Sequence, residues 1–270
     1  MNLAIIAFPN LSPVAFELGP IVVRWYALAY VAGLLFAVWY LKQLVSLPRL
    51  WGANAPTLTI PQIDDMFLWF LLGVIGGGRL GYVLFYKPFY YFAHPLEILQ
   101  TWDGGMSFHG GFLGVVIACL IYGRRHGVRL DRLLDLGAAV TPVGLGLGRL
   151  ANFINAELWG RSSDLPWAVV FPGDNFARHP SQLYEALLEG VILFALLRLA
   201  THHYGVLKNP GRAAGLYALF YGASRIFIEF FREPDDFLGY FGGFFTMGML
   251  LSLPLLVTGI WLLLRSRHAA

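Results

Sequence analysis

One apolar stretch of the sequence carries side chains that are costly to place in hydrocarbon. Residues 148–161 read GRLANFINAELWGR and include Arg149, Asn152 and Glu157. A charge inside a membrane span costs roughly 2.5–3.5 kcal/mol on insertion scales, so it needs a partner, a water-filled cavity or a function. Arg149 and Asn152 share a helix face, and arginine offers paired donors that match a phosphate group. The stretch therefore indicates a site for an anionic headgroup, with a polar clamp between helices as the structural alternative.

A second polar stripe lies in the apolar stretch from 213 to 231. Tyr221, Arg225, Glu229 and Arg232 follow one another at spacings of four, four and three residues. This spacing keeps them on one side of a helix. We interpret the stripe as a polar wall that faces a cavity. Two alternatives stay open: an ion pair between Arg225 and Glu229 that neutralises itself, and an Arg232 side chain that reaches to the membrane interface.

A histidine flanked by glycines precedes another helix candidate. Residues 104–111 read GGMSFHGG, with His109 followed by Gly110 and Gly111. Glycine lets backbone N–H groups approach a ligand closely, and a helix N-terminus favours anions. His109 is a candidate proton-transfer group near neutral pH, with a hydrogen-bonded structural histidine as the alternative. For the run GGGR at 76–79, close helix packing is the favoured interpretation.

The composition places these residues in a membrane protein. Of the 270 residues 57% are hydrophobic and 13% are charged, about half the roughly 25% charged residues of a soluble domain. The single cysteine, Cys119, excludes an intramolecular disulfide. We expect an all-α fold in which one integral membrane domain covers residues 1–270. Seven segments are long and apolar enough to be candidate spans: 21–41, 63–85, 108–122, 137–155, 181–200, 213–231 and 244–264.

The distribution of Lys and Arg predicts the orientation of these spans. Eleven lie on one set of alternating connections and four on the other set. Because cytoplasmic loops are enriched in Lys and Arg, the N-terminus is expected outside and the C-terminus in the cytoplasm. This orientation brings polar residues of five spans to the outer leaflet. The connection at about 156–180, which contains three prolines, becomes a long outer loop that could act as a lid or dock a partner.

Three motifs of the sequence resemble one known family. Residues 148–160 (GRLANFINAELWG), 106–111 (MSFHGG) and 221–235 (YGASRIFIEFFREPD) are similar to the signatures of bacterial phosphatidylglycerol–prolipoprotein diacylglyceryl transferase. The likeness extends from Arg24-Trp25-Tyr26 to the last span. Ala156 stands where many members of that family have glycine.

The resemblance implies a seven-span enzyme of the bacterial cytoplasmic (inner) membrane with its active site toward the outer leaflet. Such an enzyme moves the diacylglyceryl group of phosphatidylglycerol, a membrane lipid, onto the lipobox cysteine of a prolipoprotein signal peptide, and releases glycerol phosphate. It implies no metal, no cofactor and no nucleic-acid partner.

The same resemblance implies roles for individual residues. His109 would be the general base, and Arg149 and Arg225 would stabilise the leaving phosphate. Glu157 and Glu229 would hold the arginines. The substrate-binding candidates are Tyr26, Asn152, Glu157, Gly160, Tyr221, Glu229, Arg232, Gly110 and Gly111. A lipid or anion transporter is the rival class, although it predicts polar gating groups at both membrane faces. A structural scaffold would leave the polar residues unexplained.

Overall fold

The chain is mostly helical in the computed structural model, which describes residues 6–53, 56–101, 104–233 and 244–267. The end of the motif at 221–235, Pro234 and Asp235, lies outside these residues. The side chains of Phe108 and Arg267 are not described either. The α-helices are α1 (Trp25–Val45), α2 (Ile60–Phe85), α3 (Pro88–Ala93), α4 (Phe108–His126), α5 (Leu130–Ile154), α6 (Ser181–Glu185), α7 (Leu193–His202), α8 (Arg212–Ile228) and α9 (Met247–Arg267). Among the described residues, short 3₁₀ turns lie at Pro48–Leu50, Pro95–Leu99 and Val206–Lys208.

Four described helices are long and apolar enough to cross a membrane. They are Trp25–Val45, Ile60–Phe85, Leu130–Ile154 and Met247–Ser266, and they match the first, second, fourth and seventh predicted segments. The other three predicted segments are also helical, over Phe108–His126, Ser181–His202 and Arg212–Ile228. The membrane-protein class that the composition predicted is therefore confirmed.

Five short strands depart from the all-α prediction. The predicted first span began at residue 21, but Ile21–Arg24 form β3, which pairs antiparallel with β2 (Val14–Leu18). Branched side chains at 21–23 favour the extended backbone, and Gly19 with φ 59° makes the turn between the two strands. A second small sheet joins β1 (Ile6–Ala7), β4 (Val169–Val170) and β5 (Ala177–Arg178).

The predicted span 181–200 is one helical run with a widened centre. Between α6 and α7, Ala186–Ile192 form a π-helical segment. π-Helical turns are rare and occur mostly at functional sites. The candidate site below includes this segment.

The described chain forms two compact units. The larger unit consists of residues up to Tyr40, Arg49–Ala53 and the chain from Leu134 onward. The smaller unit consists of Leu41–Pro48 and Asn54–Leu133. His109 belongs to the smaller unit, whereas Arg149 and Arg225 belong to the larger one.

Glycines hold α2 and α4 together in the smaller unit. A Cβ added at Gly77 would lie 2.8 Å from the Cα of Gly114 and would also collide with the carbonyl oxygen of Gly110. A Cβ at Gly81 would lie 2.7 Å from the Cα of Gly110. Small residues let two helices approach at backbone distance. The packing interpretation of the glycine run at 76–78 therefore fits Gly77, and Gly110 has a packing role as well.

A buried carboxylate joins α5 to α8 in the larger unit. The Asp135 side chain of α5 is fully buried and accepts hydrogen bonds from the backbone N–H groups of Gly211 (2.7 Å) and Ala214 (2.9 Å). The first N–H groups of a helix have no partner within the helix. A carboxylate at this end also interacts favourably with the positive end of the helix dipole. Asp135 thereby places the start of α8 against α5, the two helices that carry Arg149 and Arg225.

Candidate active site

Three helical elements of the larger unit bring arginines and glutamates into one cluster. Arg149 of α5 lies with its Nε 3.2 Å from Glu185 Oε2 and 3.8 Å from Glu189 Oε2. Arg225 of α8 lies with its Nη1 2.5 Å from Glu185 Oε1 and 3.6 Å from Glu189 Oε1. Glu185 and Glu189 are fully buried. Buried charges of opposite sign in such contact compensate one another's desolvation.

The two arginines differ in which guanidinium nitrogens are hydrogen-bonded to carboxylates. Arg225 Nη2 donates to Glu229 Oε1 at 2.7 Å, so carboxylates hold both of its terminal nitrogens. The shortest contacts of Arg149 with carboxylates are made by Nε, and neither of its Nη atoms donates a hydrogen bond to a described residue. The Arg149 side chain is 18% exposed. Its fork of Nη donors is therefore available to an anion.

Glu229 is held in turn by α9. Its Oε2 accepts from the hydroxyl of Thr246 at 2.7 Å, and α9 passes so close that a Cβ added at Gly248 would collide with the carboxylate. The prediction that Glu229 holds an arginine agrees with this geometry, and so does the alternative of an internal pair with Arg225. Arg232 joins the cluster more loosely, with Nη1 3.5 Å from Glu185 Oε1.

Sequence reasoning missed the acidic half of this cluster. Glu185 and Glu189 stand in the predicted span 181–200, for which no polar site residue was predicted. The signal was present, because an acidic residue within an apolar span is a functional-site candidate by default. The π-helical segment packs closely on α5 through two glycines. A Cβ at Gly190 would lie 2.7 Å from the Cα of Gly146. The π-helical segment thus lies directly against α5.

A second polar group lies one turn beyond Arg149 on α5. The Tyr26 hydroxyl of α1 donates to Glu157 Oε1. The Asn152 side-chain amide donates to the Tyr26 hydroxyl and, at 2.9 Å, to Glu157 Oε1. Gln182 fixes the chain here by donating to the Glu157 carbonyl oxygen at 2.6 Å. Glu157 was expected to hold an arginine, but its carboxylate holds the Tyr26 and Asn152 side chains.

The backbone after α5 takes an unusual path. Ala156 and Leu158 adopt φ values of 52° and 58°, a left-handed conformation that residues other than glycine rarely adopt. The position where the family often has glycine is therefore one where glycine relieves strain. Gly160 lies in tight contact, because a Cβ there would lie 2.8 Å from the His179 carbonyl oxygen. Close backbone packing explains this glycine.

Arg161 and Arg178 organise the connection between α5 and α6. Arg161 donates to the carbonyl oxygens of Arg232 (2.9 Å) and Glu229 (3.0 Å). Arg178 forms ion pairs with Asp174 and, at 2.9 Å, with Glu233. Its hydrogen bond lowers the pKa of the Asp174 carboxyl group. Burial, together with the charge of Arg161, lowers the pKa of His179.

The predicted site residues of the smaller unit have a different character. His109 is exposed in the first turn of α4, where the Ser107 hydroxyl caps the helix by accepting from Gly110 N at 3.2 Å. A Cβ at Gly111 would make an ordinary contact, 3.4 Å from the Val74 carbonyl oxygen. Arg79 is buried and donates to four backbone carbonyl oxygens, those of Glu97, Ile98, Gly104 and Gly105, at 2.6–3.2 Å. Arg79 therefore has a structural role.

Tyr221 lies one turn before Arg225 on α8 and stacks on Tyr217 with ring centroids 5.5 Å apart. Among the described residues, no group of three His, Cys, Asp or Glu side chains is placed to hold a metal ion. The larger unit therefore combines partly exposed arginine donors with a tyrosine, an asparagine and buried counter-charges. The fold and this cluster define a helical membrane protein with a candidate site for an anionic headgroup.

The comparisons with known proteins agree with this class. A family model described as prolipoprotein diacylglyceryl transferase matches residues 13–265. A phosphatidylglycerol–prolipoprotein diacylglyceryl transferase of Brucella anthropi is 53% identical over 267 residues, which cover 98% of this chain and 95% of that protein. A protein of the same name from Mesorhizobium japonicum is 52% identical over 264 residues, covering 97% and 92%. The chain belongs to the prolipoprotein diacylglyceryl transferase family, as the resemblance of its motifs indicated.

Proposed function

We propose that this protein transfers the diacylglyceryl group of phosphatidylglycerol to the thiol of a prolipoprotein lipobox cysteine. The products are a thioether-linked lipopeptide and glycerol phosphate. Family membership over nearly the whole chain supports the reaction class, and the names of the relatives in Brucella anthropi and Mesorhizobium japonicum support both substrates. The observation that carries the proposal is the Arg149 side chain, which pairs with buried glutamates and whose Nη atoms donate no hydrogen bond to a described residue.

In the proposed reaction the cysteine thiol first loses its proton, because the thiolate is the nucleophile. His109 accepts this proton. The sulfur attacks the glycerol carbon that bears the phosphate ester, the C–S bond forms and the C–O bond to phosphate breaks. The phosphate oxygen takes the electron pair of the broken bond. Positive groups placed where this charge develops lower the barrier, and Arg149 and Arg225 supply them.

The remaining candidates orient the lipid headgroup. Tyr26, Asn152 and Tyr221 donate hydrogen bonds to it, and Glu157 keeps Tyr26 and Asn152 in position. Glu229 keeps Arg225 in position. Gly110 and Gly111 let the headgroup approach the start of α4 closely, because neither residue has a side chain. Gly160 and Arg232, which pair through their backbones, contribute to the headgroup site from the larger unit.

The membrane placement belongs to the same proposal. One domain of seven spans lies in the bacterial inner membrane, with the N-terminus outside and the active site toward the outer leaflet. The excess of Lys and Arg on one set of connections supports this orientation. An activity reporter fused after Ala270 should be active only in the cytoplasm, and activity only outside would reverse the orientation.

The reaction is tested with purified protein in detergent, phosphatidylglycerol and a peptide with a lipobox cysteine. Lipidated peptide and glycerol phosphate should appear in equal amounts, and both should be absent with a Cys→Ser peptide. Arg149→Ala should reduce turnover about 10²–10³-fold, the loss typical of removing one charge-stabilising donor. If folded protein that binds the lipid forms neither product, the transferase assignment is wrong and lipid transport becomes the better hypothesis.

A further inference from the structure

Glu189 is a buried carboxylate that approaches the arginines without bonding to them. It is fully buried in the π-helical segment, and among the described residues neither of its oxygens accepts a hydrogen bond. Its nearest arginine nitrogens lie at 3.6 Å (Arg225 Nη1) and 3.8 Å (Arg149 Nε). Glu185, one turn earlier, lies 2.5 Å from Arg225 and 3.2 Å from Arg149. Glu185 thus accepts a hydrogen bond from Arg225, whereas Glu189 supplies charge alone.

An isolated charge of this kind is expensive to bury. A carboxylate without hydrogen bonds has lost its hydration, and only the attraction of nearby cations offsets the cost. The close contact of Gly146 and Gly190 nevertheless packs the π-helical segment against α5 and holds Glu189 near the arginines. A glutamine could occupy the same space without the charge. The geometry therefore points to a role for the charge itself.

The formal charges of the arginines and glutamates around Glu189 balance. Counted as ionised groups, Arg149, Arg225 and Arg232 contribute three formal positive charges, and Glu185, Glu189 and Glu229 contribute three formal negative charges. Tyr217 and Tyr221 of α8 also lie within electrostatic reach of Glu189. An anion bound to Arg149 then meets a cluster whose net charge is zero.

The substrate and product of the proposed reaction differ in charge. Phosphatidylglycerol is a phosphodiester with a single negative charge. A phosphomonoester such as glycerol phosphate carries about −1.5 to −2 at pH 7. A cluster with excess positive charge would bind the product more tightly than the substrate and would delay its release.

We propose that Glu189 is a positioning residue whose negative charge limits the attraction of Arg149 and Arg225 for phosphate, so that glycerol phosphate is released after transfer. The inference rests on the proposed function, because it takes the phosphate to lie at Arg149. Glu189 acts on the phosphate through the arginines and makes no contact with the reacting atoms.

The test compares wild-type protein with Glu189→Gln and Glu189→Asp, all full-length in detergent. The inhibition constant of glycerol phosphate, KM for phosphatidylglycerol and kcat are measured for each. Glu189→Gln should bind glycerol phosphate roughly tenfold more tightly, because one unit of counter-charge a few ångströms away is gone. KM for the singly charged lipid should fall by a smaller factor, and kcat should fall as release slows. Glu189→Asp keeps the charge and should stay close to wild type.

Glu185→Gln is the matched control, since it removes the same charge but also the 2.5 Å bond to Arg225. It should weaken the binding of glycerol phosphate, because Arg225 loses its orientation. If Glu189→Gln also weakens this binding, or leaves it unchanged in folded protein, Glu189 has no charge-balancing role.

Two further measurements keep the outcomes distinct. If Glu189→Gln does not fold, wild-type protein is inhibited with glycerol phosphate and with the singly charged diester glycerophosphoglycerol. Similar inhibition constants support the inference, and a tenfold preference for glycerol phosphate overturns it.

Arg149→Ala separates the two proposals: unchanged inhibition by glycerol phosphate would refute phosphate binding at Arg149. If glycerol phosphate inhibits Arg149→Ala more weakly but inhibits Glu189→Gln as it does wild type, phosphate binding at Arg149 stands and only the role of Glu189 is refuted.

Discussion

Two arginine sites of this protein look alike in the sequence and differ in their partners. Arg79 and Arg149 both lie in apolar helices. Arg79 is 5% exposed, and all three of its nitrogens donate to backbone carbonyl oxygens. Arg149 meets side-chain carboxylates through Nε, and its Nη atoms have no hydrogen bond among the described residues. A buried arginine whose donors are all used stabilises the fold, whereas one with donors left over can bind a ligand.

The strongest test of this comparison exchanges each arginine for lysine. Lysine keeps the charge but loses the planar fork of donors. Arg149→Lys should reduce kcat/KM by about 100-fold with an unchanged melting temperature, because a phosphate loses its paired donors. Arg79→Lys should lower the melting temperature by several degrees, because carbonyl oxygens lose their partners. The transferase assay and thermal unfolding in detergent, run on both variants, measure the two effects. The reverse pattern would show that the two sites have been assigned the wrong way round.

A glycine pair sharpens the structural side of the comparison. A Cβ at Gly77 would collide with α4, whereas nothing lies within 4 Å of a Cβ at Gly76. Gly77→Ala should therefore destabilise the protein by about 1–3 kcal/mol, the usual cost of overpacking. Gly76→Ala should be neutral or slightly stabilising, because alanine favours the helix. Equal unfolding midpoints for the two variants would contradict the close packing of α2 on α4.

The strained turn after the arginine cluster predicts a smaller effect. Ala156 has φ 52°, and glycine adopts this conformation without steric cost. Ala156→Gly should stabilise the protein by about 0.5–1 kcal/mol. Glycine removes the strain of the left-handed conformation, but its greater freedom in the unfolded chain offsets part of that gain. Thermal unfolding measures it, with Ala151→Gly, in the body of α5, as a control that should destabilise. A loss of stability in Ala156→Gly would show that the turn is not strained.

The smallest expected effect is a pH dependence at the edge of the larger unit. The pKa of His179 is lowered in the folded protein, so the unfolded chain binds more protons than the folded one below about pH 6.5. The His179 contribution to stability is therefore complete above this pH and is lost as the pH falls toward the folded-state pKa. His179→Gln should flatten the stability profile between about pH 7 and 5. Profiles that remain parallel would exclude the role of His179.

The sequence alone predicted the membrane class, the helical positions and the polar residues worth examining. Charge in an apolar span is costly whatever the fold, so Arg149 and Arg225 could be selected without coordinates. Length and apolar composition also located seven segments that are helical, although not the short helix α3. Their ends were less certain, as at Ile21–Arg24, where branched residues formed a strand.

Tertiary structure decided which partner each of these polar side chains has. Arg79 and Arg149 are chemically identical in the sequence, and only the neighbouring elements determine whether carbonyl oxygens or carboxylates surround each guanidinium. Glu157 contacts Tyr26, which is 131 residues away, and Glu185 contacts Arg225 across 40 residues. Pairings over such distances depend on how helices pack, here through the Gly146–Gly190 contact and the Asp135 cap of α8. The local sequence determines the chemistry of each side chain. Which side chains pair, and how strongly, is determined only when the helices pack together.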